Sequence, residues 1–130
     1  MTNEEKKAYI AYRIEKAEST WQETSLIAQH KLWNTCANRL YYAAFYALTA
    51  LLLQEGYATQ THKGVRTLFA QHFVKTGKIS SQMNNHYNKL FDKRQTADYA
   101  DLVDWTEDDI LPLINPTKEF IETIKKLINL

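Results

Sequence analysis

The run Asn38–Leu53, NRLYYAAFYALTALLL, is the most apolar stretch of the chain, and its reading decides the fold. It is about four helical turns long. No glycine or proline interrupts it before Gly56, and alanine and leucine both favour a helix. At about 100° per residue, Leu40, Ala44, Ala47, Leu48 and Leu51 form one face. Tyr41, Phe45, Leu48 and Leu52 form a second apolar face beside it. A helix that is apolar most of the way round is the central helix of a bundle. The run falls short of the roughly 20 apolar residues that a bilayer span requires. Its first turns carry Asn38, Arg39, Tyr42 and Tyr46. Asn38 and Tyr42 are i, i+4 neighbours, and Arg39 and Tyr46 lie two turns apart on one side. Polar groups on the most buried helix must find partners or destabilise it. These four are therefore buried anchors or one wall of a site.

Working outward, residues 3–29 predict a long first helix, with Thr2 or Asn3 as N-cap and Glu4 and Glu5 in the first turn. Its stripe is Ile10, Ile14, Ala17, Trp21, Ser25 and Ala28. A break is expected at 30–33, then the central helix to about Glu55, stopped by Gly56. Thr61 caps a third helix to about Thr76, stopped by Gly77, with Val65, Leu68, Phe69, His72 and Phe73 inward and His62, Lys63 and Arg66 in its first turns. Ser80 or Ser81 caps a fourth, about 82–98, whose stripe Met83, Tyr87, Leu90 and Phe91 ends on an arginine, Arg94. Lys93–Trp105 has no clean period and reads as the end of that helix and a structured loop. Thr106 followed by Glu107, Asp108 and Asp109 starts a last helix to about Asn129, carrying Ile110, Leu113, Ile114, Phe120, Ile124 and Leu127. Pro112 falls near its first turn; Pro116 should kink or restart it, with Asn115 as a second cap.

The expectation is an all-α, up-and-down bundle of four long helices plus a shorter fifth, one domain over residues 1–130. Three glycines, two prolines and no alternating β-branched runs agree with it. A net charge of +1 excludes a global field for nucleic acid, so any such binding must be local. The single cysteine, Cys36, excludes an internal disulfide and reads as a buried, inert thiol. The start MTNEEKKAYI lacks a signal-peptide core, so a cytoplasmic protein with no membrane association is expected. His30, His62, His72 and His86 form no metal-binding pair on one helix, and three scattered glycines build no phosphate loop. No metal site and no cofactor are assigned.

The informative cluster is Arg94, Asp98 and Tyr99, within RQTADY. Arg94 and Asp98 at i, i+4 could form an ordinary helix-surface salt bridge worth a few tenths of a kcal/mol. Alternatively Arg94 points inward and meets Asn38 or Tyr42, where a guanidinium is a ready phosphate ligand.

NRLYYAAFYALTALLL, THKGVRTLFAQHFVKTG and KRQTADY, taken together and in this order, resemble the HEPN superfamily. The similarity is to the small stand-alone bacterial and archaeal members often encoded beside minimal nucleotidyltransferases. The resemblance implies a dimeric helical bundle in toxin–antitoxin or nucleotide- and RNA-related systems. Ribonucleases of the superfamily carry an arginine, four to six residues, then a histidine. Arg94 matches the arginine, but the three permitted positions hold Tyr99, Ala100 and Asp101. Tyrosine, with a pKa near 10, is a poor general base. The chain is accordingly read as a dimeric nucleotide-, RNA- or partner-binding module. Asn38, Arg39, Tyr42, Arg94 and Asp98 would hold the ligand, and a nucleotidyltransferase is the expected partner. The alternative is a metal-independent ribonuclease toxin in which Arg94 stabilises the phosphate and Tyr99 or Asp98 replaces the histidine.

Overall fold

The computed structural model describes residues 1–59, 61–99 and 103–128, and of Tyr99 the backbone alone. Helix α1 spans Asn3–Gln29, α2 Trp33–Gln54, α3 His62–Phe69, α4 Ser81–Tyr99, α5 Glu107–Ile110 and α6 Ile114–Leu127. No strand occurs among the described residues.

The start of α1 is fixed by the Thr2 hydroxyl, which accepts from the Glu5 backbone N–H at 3.1 Å. Its end is a Schellman motif with Lys31 at φ +57°: the Lys31 N–H reaches Ala28 O and the Leu32 N–H reaches Ile27 O. Lysine here occupies a left-handed position that favours glycine. α2 ends in the same motif with Gly56 at φ +86°, its Tyr57 N–H bonded to Leu52 O. The two helices run antiparallel. Lys6 Nζ reaches Gln54 O at one end, and the Cys36 thiol reaches Thr24 O at the other.

α2 is central, as its composition predicts. Leu40, Ala43, Ala44, Ala47, Leu48, Ala50 and Leu51 are wholly buried. The alanines let neighbouring helices approach closely, and each buried leucine contributes about 2 kcal/mol. α4 packs antiparallel to α2 through Tyr87, Leu90 and Phe91. α6 runs parallel to α2 and antiparallel to α1, tied by Trp21 Nε1 to Ile114 O at 2.8 Å and Lys125 to Glu18 at 3.2 Å. α1, α2, α4 and the α5–α6 arm make the up-and-down bundle, with α3 as the shorter element.

Three local expectations are corrected. Ser25 is exposed; the inner face of α1 passes instead through Thr20 and Thr24, whose hydroxyl bonds the Trp21 carbonyl. The third helix is not uniformly α. It closes as a π-turn over Ala70–Val74, with the Lys75 N–H on Ala70 O, and Phe69 and Phe73 both stay in the core. The last helix restarts earlier than Pro116. The break is a 3₁₀ turn, Leu111–Leu113, at Pro112. Pro116 is the third residue of α6, where its missing N–H has no intrahelical partner to lose, and Asn115 lies inside the helix rather than capping it.

Candidate functional site

Arg94 enters the bundle where a core side chain belongs. The stripe of α4 points it at α2, and only 8% of it is exposed. Its guanidinium lies 4.8 Å from the centre of the Tyr41 ring and 5.7 Å from that of Tyr42. One terminal nitrogen, Nη1, donates to the Tyr42 hydroxyl at 3.3 Å and pairs with Asp98 at 3.4 Å. Both readings of Arg94 therefore hold at once: it bridges to Asp98 along α4 and it faces inward. Of its two suggested partners, Tyr42 is the one it meets. Its Nε is buried with no hydrogen-bond partner among the described residues.

Asn38 and Arg39 stand beside this contact. Arg39 Nε and Nη2 both donate to Asn38 Oδ1 at 3.2 Å, and its guanidinium sits 5.3 Å over Tyr42. Tyr42 thus has a cation on each flank. Tyr46 pairs not with Arg39 but with Lys16 of α1, whose ammonium lies 5.0 Å over its ring. Asp98 is at the rim, with 36% of its side chain exposed. The Tyr99 side chain, Ala100 and Asp101 lie outside the described residues.

Three further residues, His62, Tyr87 and Arg66, not assigned to the site from the sequence, complete the cluster. The Thr61 cap, which accepts the Gly64 N–H at 2.9 Å, places His62 at the first position of α3. His62 Nδ1 is 2.7 Å from the Tyr41 hydroxyl, and the ring packs on Phe45 at 4.7 Å. The Tyr87 hydroxyl donates to that of Tyr41 at 3.5 Å. Arg66, one turn after His62, lies 4.1 Å over the Phe91 ring. A signal for His62 was present in the sequence. A phenol on the most buried helix needs a polar partner, and a histidine one position past a cap is a candidate.

Burial sets the protonation states. It raises the Tyr41 hydroxyl pKa, against the opposing hydrogen bond of Tyr87 and the charge of Arg94. Tyr87 is pushed well above the usual phenol range, chiefly by burial. Burial and then the Arg94 charge lower His62. At neutral pH the cluster gathers the guanidinium groups of Arg39, Arg66 and Arg94 around the neutral Tyr41 and Tyr87 phenols and a neutral His62 imidazole, with the Asp98 carboxylate at its edge. Such an arrangement attracts an anion and offers it several donors.

Two of the other histidines are engaged elsewhere. His72 stacks on Tyr57 at 4.4 Å, and His86 bonds the Thr117 hydroxyl at 2.8 Å. Among the described residues no group of three or more His, Cys, Asp or Glu is placed to hold a metal ion. No described helix is long and apolar enough to cross a membrane. Cys36 is buried on α2, and burial raises its thiol to about 11.

Comparison with known proteins places these features. A "UPF0332 protein" of Thermotoga maritima is 36% identical over 124 residues, 95% of this chain and 94% of its own. A Methanocaldococcus jannaschii protein named "Putative toxin MJ0142" is 29% identical over 113 residues, 87% of this chain and 77% of its own. A second "UPF0332 protein", from Archaeoglobus fulgidus, is 27% identical over 120 residues, 92% of this chain and 95% of its own. The HEPN domain family model matches residues 10–127, from the second turn of α1 to the end of α6 and so across the Arg94 cluster, and the chain belongs to the HEPN domain family.

Proposed function

We propose that this HEPN protein is a binding module for phosphate-bearing ligands, a nucleotide or RNA, held by Arg94 at the Tyr41–Tyr42 face of α2. The carrying observation is an arginine 8% exposed whose guanidinium lies over two phenol rings, with a buried Nε that has no partner among the described residues. A purely structural core position would be filled more cheaply by an apolar side chain. Asp98 occupies the outer edge of the guanidinium in the free protein and yields it to an incoming phosphate. Arg39 and Asn38 flank the entrance. The name of the Methanocaldococcus relative supports a setting in a toxin system. There the module works as a dimer beside a nucleotidyltransferase.

The test is fluorescence anisotropy with a labelled single-stranded RNA, comparing wild type with Arg94→Met and Asn38→Ala. At least a tenfold loss with Arg94→Met is expected, since charge-assisted contacts to phosphate are worth about 1.5–3 kcal/mol. Unchanged affinity in both variants removes the site assignment.

One observation favours a second reading, the metal-independent ribonuclease. His62 is an imidazole in the Arg94 cluster supplied from α3, outside the arginine-to-histidine spacing of the superfamily. In the tautomer that carries hydrogen on Nδ1, that hydrogen bonds Tyr41 Oη and leaves Nε2 free to accept the proton of a ribose 2′-hydroxyl. The 2′-oxygen would then attack the adjacent phosphorus, displace the 5′-oxygen and leave a 2′,3′-cyclic phosphate, the 5′-oxygen taking a proton from water. Cleavage of bulk RNA in EDTA that is lost in both His62→Asn and Arg94→Met establishes this reading. Equal cleavage by wild type and both variants, or none by any, leaves the binding module.

A further inference from the structure

Beyond the Arg94 cluster, α1 and α2 share a face on which cations and tyrosines alternate. It begins at Tyr42, flanked by Arg39 and Arg94, and steps to Tyr46 at 5.9 Å between ring centres. Tyr46 carries Lys16 at 5.0 Å, and the same ammonium lies 5.8 Å from the Tyr12 ring. One turn back on α1, Arg13 lies 4.9 Å over Tyr9. Its guanidinium is held in place by two bonds, Nη1 to Thr49 Oγ1 at 2.8 Å and Nη2 to Tyr9 Oη at 2.9 Å. Tyr9 and Tyr12 are 42% and 58% exposed, high for rings of this size. A wide surface pocket opens at this end, walled by Tyr9, Phe45 and Tyr57, with Arg13 the one charged side chain lining it among the described residues. Phe45 is also the ring on which His62 packs, so pocket and cluster share a wall.

We infer that this cation–tyrosine face of α1 and α2 is the track of a single-stranded nucleic acid whose phosphate is anchored at Arg94. The exposed rings of Tyr9 and Tyr12, with the half-buried Tyr46 beside them, offer stacking platforms to unpaired bases, while the interleaved ammonium and guanidinium groups follow the phosphates. A duplex keeps its bases stacked on one another and cannot use the rings. The chain's near-zero net charge is no obstacle, because Arg13, Lys16, Arg39 and Arg94 meet locally on this face. With helical turns of about 5.4 Å, a face of this length accommodates about three to four nucleotides. RNA and DNA strands share the chemistry of the track, and the experiment separates them. The inference rests on the phosphate reading of Arg94 and extends it to the length and strandedness of the ligand.

The experiment measures affinity for a dinucleotide, for ten-nucleotide RNA and DNA strands and for a ten-base-pair duplex, across a salt series. The proteins are wild type, Arg94→Met, the double variant Tyr9→Ala/Tyr12→Ala, and Lys16→Gln. The tyrosines and lysine are at the surface, so the variants fold, and light scattering records their mass. The track requires the tyrosine variant to lose at least tenfold for the ten-nucleotide strand and nothing for the dinucleotide. It also requires Lys16→Gln to reduce the slope of log affinity against log salt by about 0.7, the loss of one phosphate contact. Preference for RNA over DNA identifies the 2′-hydroxyl as read; equal affinity leaves a track for either strand. Loss of all binding in Arg94→Met with no effect of the tyrosine variant overturns the track and keeps the anchor. No effect of either overturns both. A fall in mass in the tyrosine variant makes the face a subunit contact and also overturns the track.

Discussion

Replacing Arg94 with methionine separates a functional arginine from a structural one. Methionine keeps the unbranched stem that packs on Tyr41 and Tyr42 and removes the charge. Two ring faces, partly desolvated, contribute about 1 kcal/mol each. The long bond to the Tyr42 hydroxyl adds about 1 kcal/mol. The i, i+4 bridge to a half-exposed Asp98 adds about 0.3–0.5 kcal/mol. These sum to about 3 kcal/mol. Against them stand the desolvation of the guanidinium of a residue that is 8% exposed, several kcal/mol, and a buried Nε with no partner among the described residues, about 1–3 kcal/mol. The costs match or exceed the gains, and methionine adds apolar burial. Arg94→Met is therefore expected to leave the unfolding free energy unchanged or to raise it by about 1–3 kcal/mol. The assay is urea unfolding followed by tryptophan fluorescence, with Leu90→Ala on the same helix as a comparison. That truncation of a 1%-exposed leucine should cost about 2–5 kcal/mol. A loss above about 3 kcal/mol in Arg94→Met refutes the reasoning, because Arg94 would then be an anchor of the core.

Four other outcomes are expected. Asn34 holds the segment before α5 with both ends of its amide, Nδ2 to Val103 O at 2.9 Å and Oδ1 from the Trp105 N–H at 2.8 Å; Asn34→Ala should cost about 1–3 kcal/mol in thermal or urea unfolding. Lys31→Gly, relieving φ +57° in the α1 C-cap, should raise stability by up to about 1 kcal/mol. Burial and then the charge of Lys89 lower His86 to about 4. The unfolded chain thus binds a proton more readily, and this contribution is complete above about pH 6.5 and is lost as pH falls from there toward 4. Discounted for partial exposure, it amounts to about 1–2 kcal/mol, and a pH series of urea unfolding should show that much extra loss in wild type relative to His86→Gln. Cys36, wholly buried with its thiol raised to about 11, should react with an aromatic disulfide reagent only on unfolding, and fast labelling of the native protein would contradict its place in the core.

The helices were legible because each carries its own local signals. Thr2, Thr61 and Ser80 cap where their hydroxyls predict, and Gly56 and Gly77 stop helices at positive φ. Pro116 misled because its position within α6 depends on where the preceding turn breaks, and that is set by how Ile110 and Leu113 both reach the core. Arg94, Tyr42 and Asp98 could be proposed as neighbours from spacing on one helix and from the polar group opening another. The sequence by itself determined an all-α bundle around Asn38–Leu53, since periodicity and capping are local properties. Only the tertiary structure decided that His62, Tyr41 and Tyr87 join Arg94, and that Lys16 and Tyr12 of α1 line up with Tyr46 of α2. Those contacts join residues far apart in the chain. They exist because packing the apolar faces fixes the rotation of each helix about its axis, and with it the direction of every polar side chain.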